Sequence, residues 1–227
     1  MKKWITFNEP WVIATAGYGS GEMAPGLVNQ KYVAAHTLIL AHSKAYRVYK
    51  EIYFPTQQGE IGITLSSGFV EGRVPSDPEF WKASWNSLDF ELGWFAEPIF
   101  GSGDYPGWMK ERLGNSTLGR DFQPKFTEEE IASNPGSDFF GLNHYSTSLT
   151  SPGDTVEGFV NSGCDNWPGS GSSWLKQVPW GIRKLLRYIK RKFKNPTIYV
   201  TENGISNRTG SDMNLHVRDS RRFFIQA

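Results

Sequence analysis

Short apolar runs alternate along the chain with longer amphipathic stretches. The short runs are rich in β-branched and aromatic residues, as β-strands are, and the longer stretches repeat their apolar residues with roughly helical spacing. Repeated strand-then-helix units are typical of a parallel α/β fold. The predicted strands are residues 3–7, 60–65, 138–142 and 197–201.

Signals for the start of a helix mark several of the segments between these strands. Asp77 and Pro78 provide an N-cap and a favoured first-turn residue, and Thr127 with Glu130 has the pattern of a capping box. The predicted helices are residues 29–52, a segment from 77 to about 95, a short helix from 128, 179–193, and 215–225. The Gly-rich and Ser-rich segments expected to be irregular are 101–123 and 146–173.

The pattern yields four strand–helix units, whereas a closed (β/α)8 barrel needs eight. We find no internal boundary and treat residues 1–227 as one domain. The last complete helix of the pattern, at 179–193, has a basic face that we expect to be solvated, with an acidic partner as the alternative. That face consists of Arg183, Lys184, Arg187, Lys190 and Arg191.

Composition excludes some classes of protein and leaves others open. Aromatic residues make up 15% of the chain, including nine Trp, which is too many for a disordered chain. They fit either a large core or a site where flat rings meet the apolar faces of sugars. The formal charge of +1 gives no electrostatic case for binding nucleic acid or an anionic membrane surface.

Several other functions lack a sequence signal. The single cysteine, Cys164, allows no internal disulfide, and no apolar run is long enough to span a bilayer. The spacing of His36 and His42 does not suit a metal site, and we expect neither metal nor cofactor. Glycosylation sequons at Asn115 and Asn207 permit a secretory origin, and a cytoplasmic one is equally open.

Two predicted strands end in a glutamate. The first strand leads into Asn8-Glu9, and the last leads into Glu202-Asn203. The carboxyl ends of parallel barrel strands meet at one rim, so these glutamates are expected to form a pair there. A pair of carboxyls is what glycoside hydrolysis requires: one acid protonates the leaving oxygen and one carboxylate acts at the anomeric carbon. The alternative is that both are ordinary surface glutamates.

Three segments resemble the conserved motifs of glycoside hydrolase family 1, in the same order and separation. They are Thr6-Phe7-Asn8-Glu9-Pro10, Gly141-Leu142-Asn143-His144-Tyr145 and Ile198-Tyr199-Val200-Thr201-Glu202-Asn203-Gly204. Within that family the chain is most similar to the lactase–phlorizin hydrolase and β-glucosidase group. The resemblance implies part of a TIM (β/α)8 barrel, about the fourth to the seventh strand–helix unit.

The resemblance also implies roles for individual residues in a retaining β-glycosidase that cleaves terminal β-D-glucosides or galactosides. Glu9 corresponds to the acid/base and Glu202 to the nucleophile. Asn8 is similar to the residue that contacts the sugar 2-hydroxyl, and Tyr145 to the tyrosine that binds the nucleophile. Asn143 is expected to shape the same rim. Trp174 resembles the platform for the leaving group, although a packing role is a close alternative.

The same resemblance implies that the sugar-binding residues of the family's first three strands and its eighth strand have no counterpart here. We therefore expect the chain alone to be inactive or nearly so, because positioning and differential binding would be lost. Two alternatives stay open: a non-catalytic, klotho-like carbohydrate-binding or receptor protein, and a partial product without function. Klotho-like relatives tend to lose one of the two glutamates, and both are present in this chain.

Overall fold

A computed structural model of the chain describes residues 2–114, 124–134, 136–163 and 166–206. The strands are β1 (Lys3–Asn8), β2 (Glu60–Ser66), β3 (Phe69–Gly72), β4 (Phe140–Asn143), β5 (Thr147–Pro152), β6 (Phe159–Ser162) and β7 (Ile198–Glu202). The helices are α1 (Pro10–Val12), α2 (Lys31–Val48), α3 (Phe54–Gln57), α4 (Pro78–Leu88), α5 (Trp94–Phe100), α6 (Gly107–Gly114), α7 (Glu128–Ser133) and α8 (Pro179–Lys192). Cys164, His216, both sequons and the helix predicted at 215–225 lie outside the described residues.

The four predicted strands form one parallel sheet in the order β1-β2-β4-β7. Strand neighbours in this sheet are also successive strand–helix units along the chain, which is the arrangement of a barrel wall. In the centre, Leu65 of β2 is in register with Leu142 of β4, and both side chains are buried. The sheet therefore places the carboxyl ends of β1, β4 and β7 along one edge.

Helices cover the central strands more completely than the outer ones. The buried core combines Ile63 and Leu142 of the sheet with Trp94 and Ile99 of α5. On the outer strands, Ile5 is 47% exposed and Val200 is 46% exposed. Among the described strands, β1 and β7 each have a neighbour on one side only. The sheet is therefore an open wall, as four units of an eight-unit barrel would be.

A second, smaller sheet corrects the prediction that residues 146–173 form a loop throughout. Its strand order is β3-β5-β6, with β3 and β5 parallel and β5 and β6 antiparallel. Four of the six residues of β5 are Ser or Thr, and the hydroxyl-bearing side chains of Thr147 and Thr150 are buried. It packs against α4, so tertiary contacts stabilise a strand that has no apolar run.

Helix starts were predicted better than helix ends. The Asp77 side chain accepts a hydrogen bond from the Glu79 N–H at 2.9 Å, and the capping box between Thr127 and Glu130 is present. Two of the long predicted helices contain π-helical turns, at Tyr49–Tyr53 and Asp89–Gly93. The hydrophobic period assumes 3.6 residues per turn and cannot detect such a turn.

The basic face of α8 is solvated as predicted at all but one of its residues. Arg183, Arg187, Lys190 and Arg191 are exposed. Lys184 is the exception, because its Nζ lies 2.6 Å from Oε2 of Glu71, which is buried in β3. The pair joins α8 to the smaller sheet.

Candidate active site

Glu9 stands at the point where β1 turns into α1. Its backbone N–H donates to the carbonyl of Thr64 in β2 at 2.9 Å, which continues the sheet contact beyond the end of the strand. The backbone of Glu9 is left-handed, with φ 51° and ψ 59°, and Pro10 begins the helix directly afterwards. A non-glycine residue in this region is strained by about 1–3 kcal/mol, and such strain concentrates at functional sites.

Asn143, at the carboxyl end of β4, holds the Glu9 carboxylate. Its Nδ2 donates to Oε1 of Glu9 at 2.8 Å and to Oδ1 of Asn8 at 3.1 Å. Its Oδ1 accepts from the Thr201 hydroxyl at 2.6 Å, and Thr201 directly precedes Glu202. The Asn143 side chain is 1% exposed, so it is a buried link between the ends of β1 and β7.

Glu202 is held by the same segment of chain. The Tyr145 hydroxyl donates to Oε2 of Glu202 at 2.9 Å, and the N–H of His144 donates to the Glu202 carbonyl at 3.0 Å. The hydrogen bond to Glu202 is the main reason why the pKa of the Tyr145 phenol is raised, since the phenol would lose this bond on ionisation. Residues 143 and 145 therefore hold one carboxylate each.

Both glutamates line one open cavity of about 870 Å3. Five of the six predicted site residues line it; Asn8 does not, and reaches the site through its contact with Asn143. The Trp174 side chain is 64% exposed at the cavity, and its ring is nearly perpendicular to that of Tyr145, with 6.0 Å between centroids. The cavity is therefore lined by the Glu9 and Glu202 carboxylates, the Asn143 amide and the Trp174 ring.

His144 has a structural environment. It is 1% exposed, and its Nδ1 lies 3.0 Å from the carbonyl oxygen of Ser67. Burial lowers its pKa, so the ring is neutral near neutral pH. The Asn203 amide donates to the His144 carbonyl at 2.6 Å and adds a further contact between β4 and β7.

Sequence reasoning missed Glu91 as a residue of the cavity. Glu91 lies in the π-helical turn that follows α4, and it lines the cavity together with Glu9 and Glu202. Burial is the main cause that raises its pKa to about 7, and the charge of Glu9 adds to the rise. A signal existed in the sequence, namely a carboxyl placed between the apolar residues Phe90 and Leu92. The face of the helix on which Glu91 lies could not be predicted from a regular period of 3.6 residues per turn, because Glu91 is in a π-helical turn.

Metal-binding clusters and membrane-spanning helices are both absent from the described residues. The parts of the chain that the structure describes contain no group of three or more His, Cys, Asp or Glu side chains able to hold a metal ion. No helix in the same residues has both the length and the apolar character that crossing a membrane requires.

Comparison with known sequences gives one consistent family. A model of the family described as Glycosyl hydrolase family 1 matches residues 1–226. The lactase/phlorizin hydrolases of Rattus norvegicus and Homo sapiens are each 42% identical to this chain over 94% of its length and 12% of theirs. Beta-glucosidase 24 of Oryza sativa subsp. japonica is 36% identical over 95% of this chain and 47% of the relative. The chain thus spans about half or less of the length of these relatives.

Solved structures agree with the sequence comparison. The rice Os3BGlu6 β-glucosidase superposes with a TM-score of 0.88 at 31% identity, covering 100% of this chain and 54% of the other. The Trichoderma harzianum β-glucosidase superposes with a TM-score of 0.84 at 35% identity, covering 98% and 50%. The expected fold class is confirmed: the described sheet and its helices are part of a (β/α)8 barrel, with chemistry-bearing side chains at the carboxyl ends of its strands.

Proposed function

Because this chain belongs to glycosyl hydrolase family 1, we propose that it carries the two catalytic carboxyls of a retaining β-glycosidase of the β-glucosidase type. The substrates are terminal β-D-glucosides or galactosides. One observation carries the proposal: Glu9 and Glu202 line the same cavity, and each carboxylate is held by a side chain at the end of β4. Cleavage of a glycosidic bond requires two carboxyl side chains that face the same bound sugar.

The reaction has two displacements. In the first, a Glu202 carboxylate oxygen attacks the anomeric carbon while Glu9 gives its proton to the leaving oxygen, so the alcohol departs and a glycosyl ester forms on Glu202. In the second, Glu9 takes a proton from water, the water oxygen attacks the anomeric carbon, and Glu202 leaves as a carboxylate. Two inversions give net retention of configuration.

The neighbouring side chains support this division of labour. The Tyr145 hydroxyl donates to Glu202, which orients the attacking carboxylate and favours its charged form. Asn143 fixes one oxygen of Glu9 and so leaves the other free to exchange a proton with the substrate. Asn8 lies beside the acid but outside the cavity lining, and the proposal gives its side chain the sugar 2-hydroxyl as a partner once substrate fills the cavity. Trp174 supplies a flat apolar surface for the leaving group.

Relatives add support for a covalent route. A mutant of the rice Os3BGlu6 β-glucosidase has been solved in a covalent complex with Glc. Several curated relatives are named β-glucosidases, and others are named lactase/phlorizin hydrolases. Both glucosides and galactosides therefore belong in the first set of substrates to be tested.

The test uses a hybrid barrel, in which residues 1–227 replace the matching part of the rice Os3BGlu6 enzyme. We expect the hybrid barrel to hydrolyse an aryl β-glucoside with retention. Glu202→Gly should abolish this hydrolysis, and added azide should restore formation of an α-configured glycosyl azide, because azide attacks from the side that the nucleophile has vacated. Ordinary hydrolysis by the Glu202→Gly variant would remove Glu202 from the role.

Activity of the 227 residues by themselves is a separate question. We expect little or no turnover, because the chain spans about half the length of the solved β-glucosidases that it matches. A normal turnover number for the purified chain on an aryl β-glucoside would contradict this expectation and leave the assignment of Glu9 and Glu202 in place. Sugar binding without hydrolysis by a folded hybrid barrel would instead favour a non-catalytic, receptor-like protein.

A further inference from the structure

A second pocket, of about 400 Å3, lies between α4 and α8. Its lining residues belong to these two helices and, at Phe69, to β3. It shares no lining residue with the cavity that contains Glu9 and Glu202. Sites for small molecules have volumes of roughly 300–1,000 Å3. The pocket is therefore separate from the proposed catalytic site and large enough for one small ligand.

Aromatic rings from both helices line this pocket. Trp81 and Trp85 are four residues apart on α4, so their side chains lie on the same face of the helix. The Trp85 side chain is 49% exposed, and its ring lies beside that of Tyr188 on α8, with 5.2 Å between the centroids. Contiguous apolar surface that stays exposed often marks a ligand-binding groove. The pocket thus offers a flat apolar surface to a ligand.

Hydrogen bonds hold two of these rings in place. The Trp81 Nε1–H donates to the carbonyl of Pro75 at 2.6 Å. The Tyr188 hydroxyl donates to Oδ1 of Asp89 at 3.2 Å. Side chains that are fixed before a ligand arrives lose little conformational entropy when it binds. The aromatic surface is therefore already formed in the absence of a ligand.

Four cationic side chains of α8 also line the pocket, and two of them have no partner of opposite charge among the described residues. Lys184 and Lys192 each form an ion pair with a carboxylate. Arg187 and Arg191 take part in none of the ion pairs or cation–π contacts of the described residues. They are four residues apart and so lie on one face of α8. Two guanidinium groups beside the aromatic surface are therefore available to an anion.

We propose that this pocket binds a small aromatic anion. Its flat ring system packs against Trp81 and Trp85, and its carboxylate, sulfate or phosphate group is bound by Arg187 and Arg191. The planar guanidinium group matches such oxyanions and forms charge-assisted hydrogen bonds with them. Aromatic rings alone would also suit a neutral sugar, and the two unpaired arginines favour an anion instead. A solvated basic face would account for exposed arginines and leave the aromatic pocket beside them unexplained.

Isothermal titration calorimetry on the 227-residue chain tests the proposal without any catalytic activity. The probe is naphthalene-2-sulfonate, and 2-naphthylmethanol is its analogue without charge. Arg187→Gln/Arg191→Gln removes both guanidinium groups from the pocket. Arg183→Gln/Lys190→Gln is the matched control, because it removes an equal charge from the same helix at residues that do not line the pocket. All four residues are exposed, so both double variants should fold.

We expect the wild-type chain to bind naphthalene-2-sulfonate with a Kd below about 1 mM and 2-naphthylmethanol more weakly. In Arg187→Gln/Arg191→Gln, the Kd for the sulfonate should rise about tenfold or more, because its charge-assisted hydrogen bonds are lost. In Arg183→Gln/Lys190→Gln it should change less than about twofold, since exposed charges outside the site are screened. Absence of binding to wild type, or equal weakening in the two double variants, would overturn the proposal.

The aromatic surface is tested by Trp85→Ala, with Trp174→Ala as the control from the other cavity. Loss of the Trp85 ring should raise the Kd for naphthalene-2-sulfonate about threefold or more, whereas Trp174→Ala should leave it unchanged. The opposite result would place the probe in the cavity of Glu9 and Glu202 and overturn the proposal. If Trp85→Ala does not fold, the arginine variants decide. The same titration of the hybrid barrel should give the wild-type Kd, and a folded hybrid barrel that does not bind the probe would contradict the proposal equally.

Discussion

Asn143 donates a hydrogen bond from Nδ2 to Oε1 of Glu9 across 2.8 Å, between residues 134 positions apart in the chain. The other end of the same amide accepts from Thr201, which directly precedes Glu202. A buried side chain on the central strand β4 thus fixes the relative positions of β1 and β7. The Asn143 amide is buried, so water cannot freely replace either of these partners when it is lost.

Removal of the Asn143 amide should destabilise the chain. In Asn143→Ala, the Thr201 hydroxyl and the Glu9 carboxylate both lose a partner, and we expect the free energy of unfolding to fall by about 1–3 kcal/mol. Urea denaturation followed by fluorescence measures this change. Gln57→Ala is the control, since Gln57 is exposed at the end of α3 and its loss should cost less than about 0.5 kcal/mol. Equal losses in the two variants would contradict a linking role for Asn143.

The hydrogen bond from the Tyr145 hydroxyl to Glu202 can be tested by removing one oxygen atom. Tyr145→Phe removes the donor to Glu202 and leaves the ring that packs near Trp174. In the hybrid barrel we expect kcat for an aryl β-glucoside to fall about tenfold or more, because the nucleophile loses orientation and stabilisation of its charge. Tyr53→Phe, at a residue that is 48% exposed and outside the cavity lining, serves as the control and should leave kcat unchanged. A Tyr145→Phe variant with the parent kcat would exclude the proposed contact from catalysis.

The strand ends were predictable because the sequence there has a simple physical pattern. Short runs of β-branched and aromatic residues that end in a carboxyl mark strands whose last residues reach one edge of the sheet, and the positions of Glu9 and Glu202 followed from that pattern. The strand β5 was not predictable in the same way. Its Thr147 and Thr150 side chains are buried by elements distant in sequence, which include α4 and Gly181 of α8, so periodicity along the strand carries no sign of it.

Glu91 was missed for a different reason. A helical period predicts which face a residue occupies only if every turn has 3.6 residues, and the π-helical turn Asp89–Gly93 breaks that assumption. The hydrogen bonds of Asn143 could not be predicted either. They connect β1, β4 and β7, and only the register of the sheet brings these strands together. Sequence therefore predicted which strand ends carry the two glutamates and did not predict how Asn143 and Glu91 are placed around them.

Glu91→Gln should stabilise the chain at alkaline pH. The pKa of Glu91 is raised from 4.5 to about 7 in the folded chain, so between these values the folded state binds more protons than the unfolded state, and wild-type stability falls as pH rises. Gln does not titrate and should not show this loss. From pH 4.5 to pH 8, the stability of Glu91→Gln relative to wild type should therefore increase by up to about 3 kcal/mol.

Urea midpoints at several pH values, with Glu79→Gln as the control, measure this difference. The control should follow the wild-type curve, because Glu79 is exposed. A difference between Glu91→Gln and wild type that stays constant across the whole of this pH range would show that Glu91 is not held in its neutral form by the fold.

His42 should make the stability of the chain depend on pH in the opposite direction, with stability lost as pH falls. The ring is fully buried; its Nε2 lies 2.8 Å from the Gly136 carbonyl and its Nδ1 lies 2.7 Å from the Thr6 hydroxyl. The carbonyl requires a proton on Nε2, so Nδ1 accepts from Thr6 in the neutral ring. Protonation would replace that acceptor with a second donor. Burial, the largest cause, lowers the pKa of His42 to about 4, and the Gly136 carbonyl opposes the change.

The unfolded state takes up a proton at His42 near pH 6.5, whereas the folded state does so only near pH 4. Wild-type stability should therefore decrease as pH falls from about 6.5 to about 4, with His42 contributing up to about 3 kcal/mol of that loss. In His42→Gln, whose amide can still donate to the Gly136 carbonyl, this contribution should vanish while the background from carboxylates remains. Thr6→Val should reduce it in part, since the hydroxyl that favours the neutral ring is gone. Parallel stability curves for wild type and His42→Gln over this range would mean that the ring takes up its proton at the same pH in the folded and unfolded chain, which would contradict the lowered pKa of the buried ring.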